Sequence, residues 1–470
     1  LRLLLGSAVG KAGVALFLGL VALSLWVVLT YPLDFGRARW SNPAVWADNP
    51  QNAPPAWTAR FEGGQVAHTV ATLGAATETR DIPAGQVRLY RFPLPYDADR
   101  PPTGLSLTLT GVTFHGRPPA VLATLIRPDG AEVRLASVPI RGGRPDETAP
   151  YRRYYDTNER LLLSQDPTAA QGLAQAYAQT YPGLAVPPNL GENLAAGLFG
   201  RPAEDGSGRI VPLPGDYAVQ VQAVVADPRD EIAPLRVVLG GTVFGLLGTD
   251  GLGRDIWEGL LYGVPTALLI GTLTALVSTS VGAGLGIVSG YVGGATDALI
   301  QRVADVINNL PLLPLLLFFV FVLGPQLWLI LLILAFFSWP GLAIFVRVMV
   351  LQIRSGPLVD AARALGASRW RIMRRHIFPQ TAPFVVAQMI FFAPGAILAE
   401  AGLSVLGLGD PSIPTWGQML EAGFRTGALY AGYWWWILPP GLMIVLTALA
   451  FMLLSLAMES IVDPRLRERS

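Results

Sequence analysis

Apolar positions fall along this chain in two regimes. From Ala12 to Tyr31, and again at about 264–288, 303–323, 327–350, 381–401 and 434–457, they predominate over twenty or more successive residues. A helix needs about 20 such residues to cross the hydrocarbon of a bilayer, so six membrane spans are expected. Between the first span and the second the pattern changes to alternation. "LSLTLT" (105–110) alternates strictly, as a half-buried strand does. "VRLYRF" (87–92), "AVLATLI" (120–126), "AEVRLA" (131–136), "DYAVQVQAVV" (216–225) and "LRVVLG" (235–240) read as further strands, separated by turn residues such as Pro128-Asp129-Gly130 and Pro214-Gly215-Asp216. One helix is expected from Pro167 to about Thr180, capped by Asp166, with Ala170, Leu173, Ala174 and Tyr177 on one face.

The expected fold is therefore a polytopic α-helical membrane protein carrying a β-rich, sandwich-like insert. Residues 1–31 hold the N-terminal segment and the first span, 32–244 the insert, and 245–470 a core of five spans. The first apolar run could also be a signal peptide. Its length, and the lack of a small-x-small cleavage site after it, favour an anchor that stays.

Composition agrees with the spans. Only 14% of the 470 residues are charged, 52% are hydrophobic, and the mean hydropathy is +0.45. Soluble chains carry about 25% charged residues. The net charge of +1 gives no argument for nucleic acid. With no cysteine, disulfides, thiolate metal sites and thiol nucleophiles are excluded. Three scattered histidines, His68, His115 and His376, lack metal-ligand spacing, so no metal is expected. Lys11 is the only lysine, and the residues around it do not form the G-x-x-x-x-G-K-[ST] pattern that cradles ATP phosphates. The insert shows no G-x-S-x-G or HExxH constellation, which favours a binding or docking module over an enzyme.

Basic residues in short loops mark the cytoplasmic side. The 351–380 loop has Arg354, Arg363, Arg369, Arg371, Arg374 and Arg375 against one acid, Asp360, and the C-terminal segment adds Arg465, Arg467 and Arg469; the 402–433 loop has only Arg425. Both termini and 351–380 are thereby expected inside, with 32–244 and 402–433 outside. Pro311 and Pro314, Trp339-Pro340-Gly341, Pro394-Gly395 and Pro439-Pro440-Gly441 are expected to interrupt spans, either as packing kinks or as moving, substrate-lining breaks. The glycines of "VGAGLGIVSGYVGG" (281–294) favour close helix–helix approach. Asp305, Asn308 and Asn309 share one helix face, and Glu400 lies near the end of the fifth span. These four are candidates for a pathway or gate, or else half-solvated interfacial groups.

The stretch "DAARALGASRWRIMRRHIFPQ" (360–380) lies between two spans. Gly356-Pro357 starts a helix, Leu358, Ala361, Ala362 and Leu365 form a stripe, and Gly366 supplies the left-handed residue that ends it. Ser368 can cap a second helix, with Trp370, Met373 and Ile377 on one side, which Pro379 is expected to stop. Three readings compete: a solvated positive loop, a DNA-reading helix pair, or an elbow that docks a cytoplasmic protein. Tethering close to lipid at both ends disfavours DNA.

This segment resembles the EAA loop of ABC-importer permeases, E-A-A-x3-G followed by a hydrophobic-Pro ending. Here the pattern stands as Asp360-Ala361-Ala362, Gly366 and His376-Ile377-Phe378-Pro379, with Asp in place of the usual Glu. "GTDGLGRDIWEGLLYG" (248–263), "SGYVGGATDALIQRVADV" (289–306), "ILAEAGLSVLGLG" (397–409), "PTWGQML" (414–420) and "DPRLR" (463–467) are similar to the dipeptide/oligopeptide/nickel branch, in order along the chain. The resemblance implies a type I importer permease in the cell (inner) membrane that carries peptides, with no cofactor and no catalytic residue of its own. It implies a second permease subunit as heterodimer partner, two ATPase subunits, an external solute-binding protein, and contact with lipid but not nucleic acid. Asp360, Ala361, Ala362, Leu365, Gly366, Ser368, Arg369 and Arg371 would form the ATPase-docking coupling helix. Other ligands of the branch (nickel chelates, glutathione, oligosaccharides) stay open, as does a membrane-anchored receptor. The resemblance says nothing about 32–244.

Overall fold

The computed structural model describes residues 7–184, 190–191, 193–205, 207–232 and 234–462. The "DPRLR" segment (463–467) and the arginines at 465, 467 and 469 lie outside the described residues. The chain divides into two compact units: one takes in the chain up to Pro43 and from Ile256 onward, and the other is Ala44–Asp255.

The first unit is helical. Its elements are α1 (Ala8–Thr30), α2 (Ile256–Val292), α3 (Gly294–Asn309), α4 (Leu312–Leu323), α5 (Leu327–Arg354), α6 (Pro357–Ala364), α7 (Arg369–Val405), α8 (Trp416–Arg425) and α9 (Trp434–Val462). Five of these, α1, α2, α5, α7 and α9, are long and apolar enough to cross a membrane, and a sixth crossing exists if α3 and α4 count as one broken span.

The span at 303–323 is interrupted at Pro311, as expected, whereas Pro314 lies inside α4. Asn309 ends α3, and α4 leaves at 80°. Pro311 explains the break: the residue before a proline is pushed out of the helical region, and Leu310 accordingly sits at φ −76°, ψ 130°. The other prolines expected to interrupt spans do not. Pro340, Pro394, Pro439 and Pro440 lie inside α5, α7 and α9. A membrane helix carries an internal proline when neighbours satisfy the freed backbone groups. Around Pro340 the helix is buried against α2, where Ser278 Oγ donates to the Ala335 carbonyl (3.3 Å). Pro379 does not stop its helix either. The turn Met373–Ile377 widens to π-helical form, Gln380 Nε2 donates to the His376 carbonyl (2.6 Å), and the helix runs on as α7.

The closest packing in this unit is between α2 and α5. Gly282, Gly286 and Gly290 recur every four residues and so share one face of α2. A Cβ on Gly282 would lie 2.8 Å from the Trp339 carbonyl oxygen, one on Gly286 2.7 Å from that of Ala343, and one on Gly290 2.8 Å from Val350 Cβ. Only hydrogen at these positions lets the two backbones approach so far. Elsewhere tryptophans fasten helices: Trp416 Nε1 donates to the Leu260 carbonyl (3.0 Å) and Trp436 Nε1 to that of Met419 (3.1 Å).

The second unit is β-rich. A five-stranded antiparallel sheet runs in the order Glu78–Ile82, Gly85–Tyr96, Gly215–Val225, Ala120–Ile126, Glu132–Pro139. A four-stranded one runs Thr69–Leu73, Leu235–Gly240, Gly104–Leu109, Glu159–Leu162. Period-two burial is clear in the long strand, where Tyr90, Phe92, Leu94 and Tyr96 point inward. They join Leu105, Leu107 and Leu109 of the other sheet in one core. The 105–110 strand, expected to be half-buried, is buried on both faces, with Ser106 and Thr108 covered as well. The helix Pro167–Thr180 forms with Asp166 accepting from Thr168 N (2.8 Å), but Ala169 and Ala176 are buried where Ala170 and Ala174 were expected.

One buried charge organises this core. Arg127 donates to the carbonyls of Gly197 (2.9 Å), Leu198 (2.7 Å) and Gly200 (2.7 Å) and to Asp129 (2.9 Å). Burial works against charge on Asp129, but hydrogen bonds from Arg127 and Tyr181 outweigh it and hold the carboxyl below its ordinary value. Burial also pushes the Tyr177 hydroxyl, which donates to the same Gly197 carbonyl, up to about 12.

The glycine seam is testable with a matched pair. Gly286→Leu should lower the thermal stability of the purified chain by about 1–3 kcal/mol through overpacking. Gly284→Leu, on the exposed face of α2 with nothing within 4 Å, should leave it unchanged. Equal melting of the two variants would refute the seam.

Candidate functional site

The 351–380 stretch is a built elbow. Gly356 precedes α6, Pro357 occupies its first turn, and Gly366 follows at φ +77°. Ala367 N donates to the Ala362 carbonyl (3.0 Å) and Gly366 N to that of Arg363 (2.9 Å). These are the two closing bonds of a Schellman motif, and the left-handed residue it needs is supplied by glycine without strain. Ser368 then caps α7 by accepting from Arg371 N (3.4 Å).

The elbow has two unlike faces. Underneath, Val359, Ala362, Ile372, Met373 and Ile377 are buried in one cluster with Ala283, Ile287 and Tyr291 of α2 and Leu342, Val346 and Val350 of α5. On the outside, Leu358 is 55% exposed, Leu365 89% and Trp370 67%. Asp360, Ala361, Gly366, Ser368, Arg369 and Arg371 are exposed as well. The predicted stripe is thus divided. Ala362 turns inward together with Val359, which the stripe omitted, while Leu358, Ala361 and Leu365 turn outward. Trp370 is exposed where Met373 and Ile377 are buried, and it borders an apolar groove against Val281 and Gly284 of α2. An apolar edge ringed by arginines on a rigid support is suited to a protein surface that brings both apolar area and acids.

The other candidates are spread out. Asp305, Asn308 and Asn309 are exposed on the last turns of α3, where Asn309 Nδ2 donates to the Asp305 carbonyl (2.7 Å). Glu400 is buried in α7 and accepts from Ser404 Oγ (2.7 Å) and from Thr415 Oγ1 (2.8 Å), the N-cap of α8. It ties the end of α7 to the start of α8. The structure does not bring Glu400 together with the three α3 residues.

The sequence motifs also acquire local reasons. In "GTDGLGRD", Asp250 accepts from Leu252 N (2.9 Å) and Arg254 N (2.9 Å), closing a tight turn. In "PTWGQML", a Cβ on Gly417 would lie 2.7 Å from Ala401 Cα, so α8 lies directly on α7. Two groupings in the β-rich unit were not foreseen. His115, Asp227 and Asp230 bring ligand atoms within 4.8 Å of one another. Their oxygens already hold partners, however: Asp227 has Arg229 (2.8 Å), and Asp230 has His115 Nδ1 (3.2 Å) and backbone N–H groups. A polar cavity of about 340 Å³ lies between segment 47–51 and the four-stranded sheet, bordered by Asp48, Ser106 and Arg160. Asp48 pairs there with Arg160 (2.8 Å).

Residues 282–468 match the family model described as binding-protein-dependent transport system inner membrane component. The chain is 37% identical over 221 residues to the dipeptide transport system permease protein DppC of Bacillus subtilis (strain 168), covering 47% of this chain and 68% of that protein. It is 39% identical over 224 residues to a protein of Brucella suis biovar 1 (strain 1330) provisionally named a peptide transport system permease protein, covering 47% and 74%. A chain of the MetNI methionine ABC transporter in an inward-facing conformation aligns with TM-score 0.36 and 20% identity, covering 44% of this chain and 96% of that one. The family model begins well after Asp255 and does not reach the β-rich unit.

Since the chain has no native cysteine, single-cysteine variants read out this geometry directly. In detergent, Leu365→Cys and Asn308→Cys should react rapidly with a water-soluble maleimide and Glu400→Cys should not. A reactive Glu400→Cys would mean that Glu400 faces an open path rather than the α7–α8 joint.

Proposed function

The chain belongs to the peptide-permease family of ABC importers, the binding-protein-dependent transport system inner membrane components, and on that premise we propose that it is one of two permease subunits lining the path by which peptides enter the cell. Six membrane segments in a type I importer arrangement, with α3–α4 as one broken crossing, put both ends of the chain and the elbow in the cytoplasm. The β-rich unit and the 402–433 loop then face outward, consistent with the arginine-rich 351–380 loop. Two ATPase subunits supply the energy and an external solute-binding protein delivers the ligand.

The observation that carries this reading is the elbow's outer edge. Leu358, Leu365 and Trp370 are exposed on a segment whose underside joins a buried apolar cluster. Exposed apolar side chains on a rigid, basic support are a docking face, and the ATPase is the partner that a cytoplasmic elbow between two spans of such a permease requires. Asp360, Ala361, Ala362, Leu365, Gly366, Ser368, Arg369 and Arg371 form or shape that face. Small Ala361 admits close approach, and Arg369 and Arg371 pair with acids. When the ATPase pair closes on ATP, the elbow is carried with it. The cluster beneath the elbow passes the movement to α2 and α5, rocking the bundle between inward- and outward-open states. Asp305, Asn308 and Asn309, polar groups beside the α3–α4 break, would line the inner end of the path. Glu400 would fix the α7–α8 joint at its outer end.

The β-rich unit, with its own core and beyond the reach of the matched family model, would contact the binding protein or cap the external mouth. Replacing 44–255 by a short linker should impair uptake of a labelled dipeptide while ATPase assembly stays intact; unchanged uptake would end this assignment. For the elbow, Leu365→Asp is the direct test. Burying one leucine side chain is worth about 1.5–3 kcal/mol, so retention of the ATPase should fall by about 10- to 100-fold. The subunit's own melting temperature should hold, since Leu365 contributes nothing to its core. Undiminished co-purification of the ATPase would contradict docking.

A further inference from the structure

Arg347 is the one arginine set among the apolar residues of the α5 span, two turns before its end, and Asp297 is the acid in the first turn of α3. They meet as a fork. Arg347 Nε donates to Asp297 Oδ1 (2.6 Å) and Nη2 to Oδ2 (2.6 Å). Ser289 of α2 also donates to Asp297, and Gln301 Nε2 donates to Ser289 Oγ (3.0 Å). Two turns further along α5, Arg354 Nη1 donates to the Gly290 carbonyl (3.0 Å). The Arg363 guanidinium of α6 then stands 5.5 Å from the centre of the Tyr291 ring. The elbow is joined to Arg354 by only Ser355 and Gly356. One ion pair therefore ties α2, α3 and α5 together at the level where the elbow begins.

A charged pair placed here needs a reason other than stability. Replacing a buried ion pair by well-packed apolar residues of similar volume is often neutral or stabilising. What a bidentate arginine–carboxylate fork adds is a fixed angle and register. The glycine seam brings α2 and α5 close, but the nearest neighbours of its glycines all belong to α5, so it does not itself hold α3. Beyond α3 lies the 80° break into α4, so whatever holds α3 also aims α4.

We propose that Asp297 and Arg347 are the positioning pair that makes α2, α3 and α5 follow the elbow as one body, so that movement imposed on α6 reaches the α3–α4 break. This rests on the reading of the elbow as the ATPase-docking segment, and it assigns the pair no contact with ATPase or substrate.

The test uses the chain assembled with its second permease and ATPase subunits in lipid nanodiscs. Spin labels are placed at Leu299→Cys on α3 and Val386→Cys on α7, both exposed sites. In the native background the label distance should shift between the nucleotide-free and the ATP–vanadate-trapped complex. In Asp297→Asn and in Arg347→Gln the ATPase should still co-purify and hydrolyse ATP, but the shift should be lost. The exchanged pair, Asp297→Arg with Arg347→Asp, should restore it. A purely structural role would not separate hydrolysis from movement in this way. Single variants that shift like the native complex would overturn the proposal. Should a single variant fail to accumulate, the exchanged pair decides: recovery of accumulation and shift together supports the link, and recovery of accumulation alone overturns it. A native chain that retains no ATPase would instead overturn the docking reading, and the link with it.

Discussion

Three glycines four residues apart, Gly282, Gly286 and Gly290, let the backbones of α2 and α5 come within contact distance. The rest of the helical unit depends on that approach. In lipid, no hydrophobic force draws one apolar helix to another; close packing and polar contacts must do it. With hydrogen at these positions, Val346 and Val350 reach the surface of α2 and complete the cluster on which the elbow rests. A methyl group at Gly286 would meet the Ala343 carbonyl and spread the pair. The underside of the elbow, Val359 and Ala362, would then lose its seat.

Several polar groups of the unit sit at joints between helices. Asp297 and Arg347, with Ser289, join three helices, and Glu400 joins α7 to α8 through Thr415. Trp416 and Trp436 spend their N–H groups on carbonyls of neighbouring helices. A polar group away from water is stabilised by such a partner, and for Asp297, Glu400, Trp416 and Trp436 at least one partner lies on another helix. The result is a bundle whose few polar contacts fix relative position. The elbow adds an outward apolar edge to that frame, and its Schellman closure at Gly366 holds the edge in one shape.

What could be read from the sequence was whatever rests on local chemistry. Strands 120–126 and 235–240 and the helix Pro167–Thr180 form at the bounds expected, because alternation, the Asp166 cap and turn residues act within a few positions. The elbow's punctuation, Gly356-Pro357, Gly366 and Ser368, is likewise local. What depends on distant neighbours was not legible. Pro311 and Pro340 look alike in sequence, yet one breaks its span and the other does not, since Pro340 is buried beside α2 while Pro311 is exposed. The stripe Leu358, Ala361, Leu365 gave no sign of which way it would face. The signal for Asp297 and Arg347 was present, since a lone arginine in an apolar run demands an acid from another helix; only the fold names which acid. Short strands such as Thr69–Leu73 and Glu159–Leu162 were missed because they are held by their partners rather than by their own pattern.

The central claim is that the elbow is a preformed docking face whose partner is the ATPase. Hydrogen–deuterium exchange across residues 357–377, with and without the ATPase subunits bound, tests it most directly. The account predicts that this segment already exchanges slowly where its amides close the Schellman turn, and that its outer edge gains protection when the ATPase assembles. Exchange in 357–377 that is unchanged by assembly, with protection appearing on another segment, would contradict it.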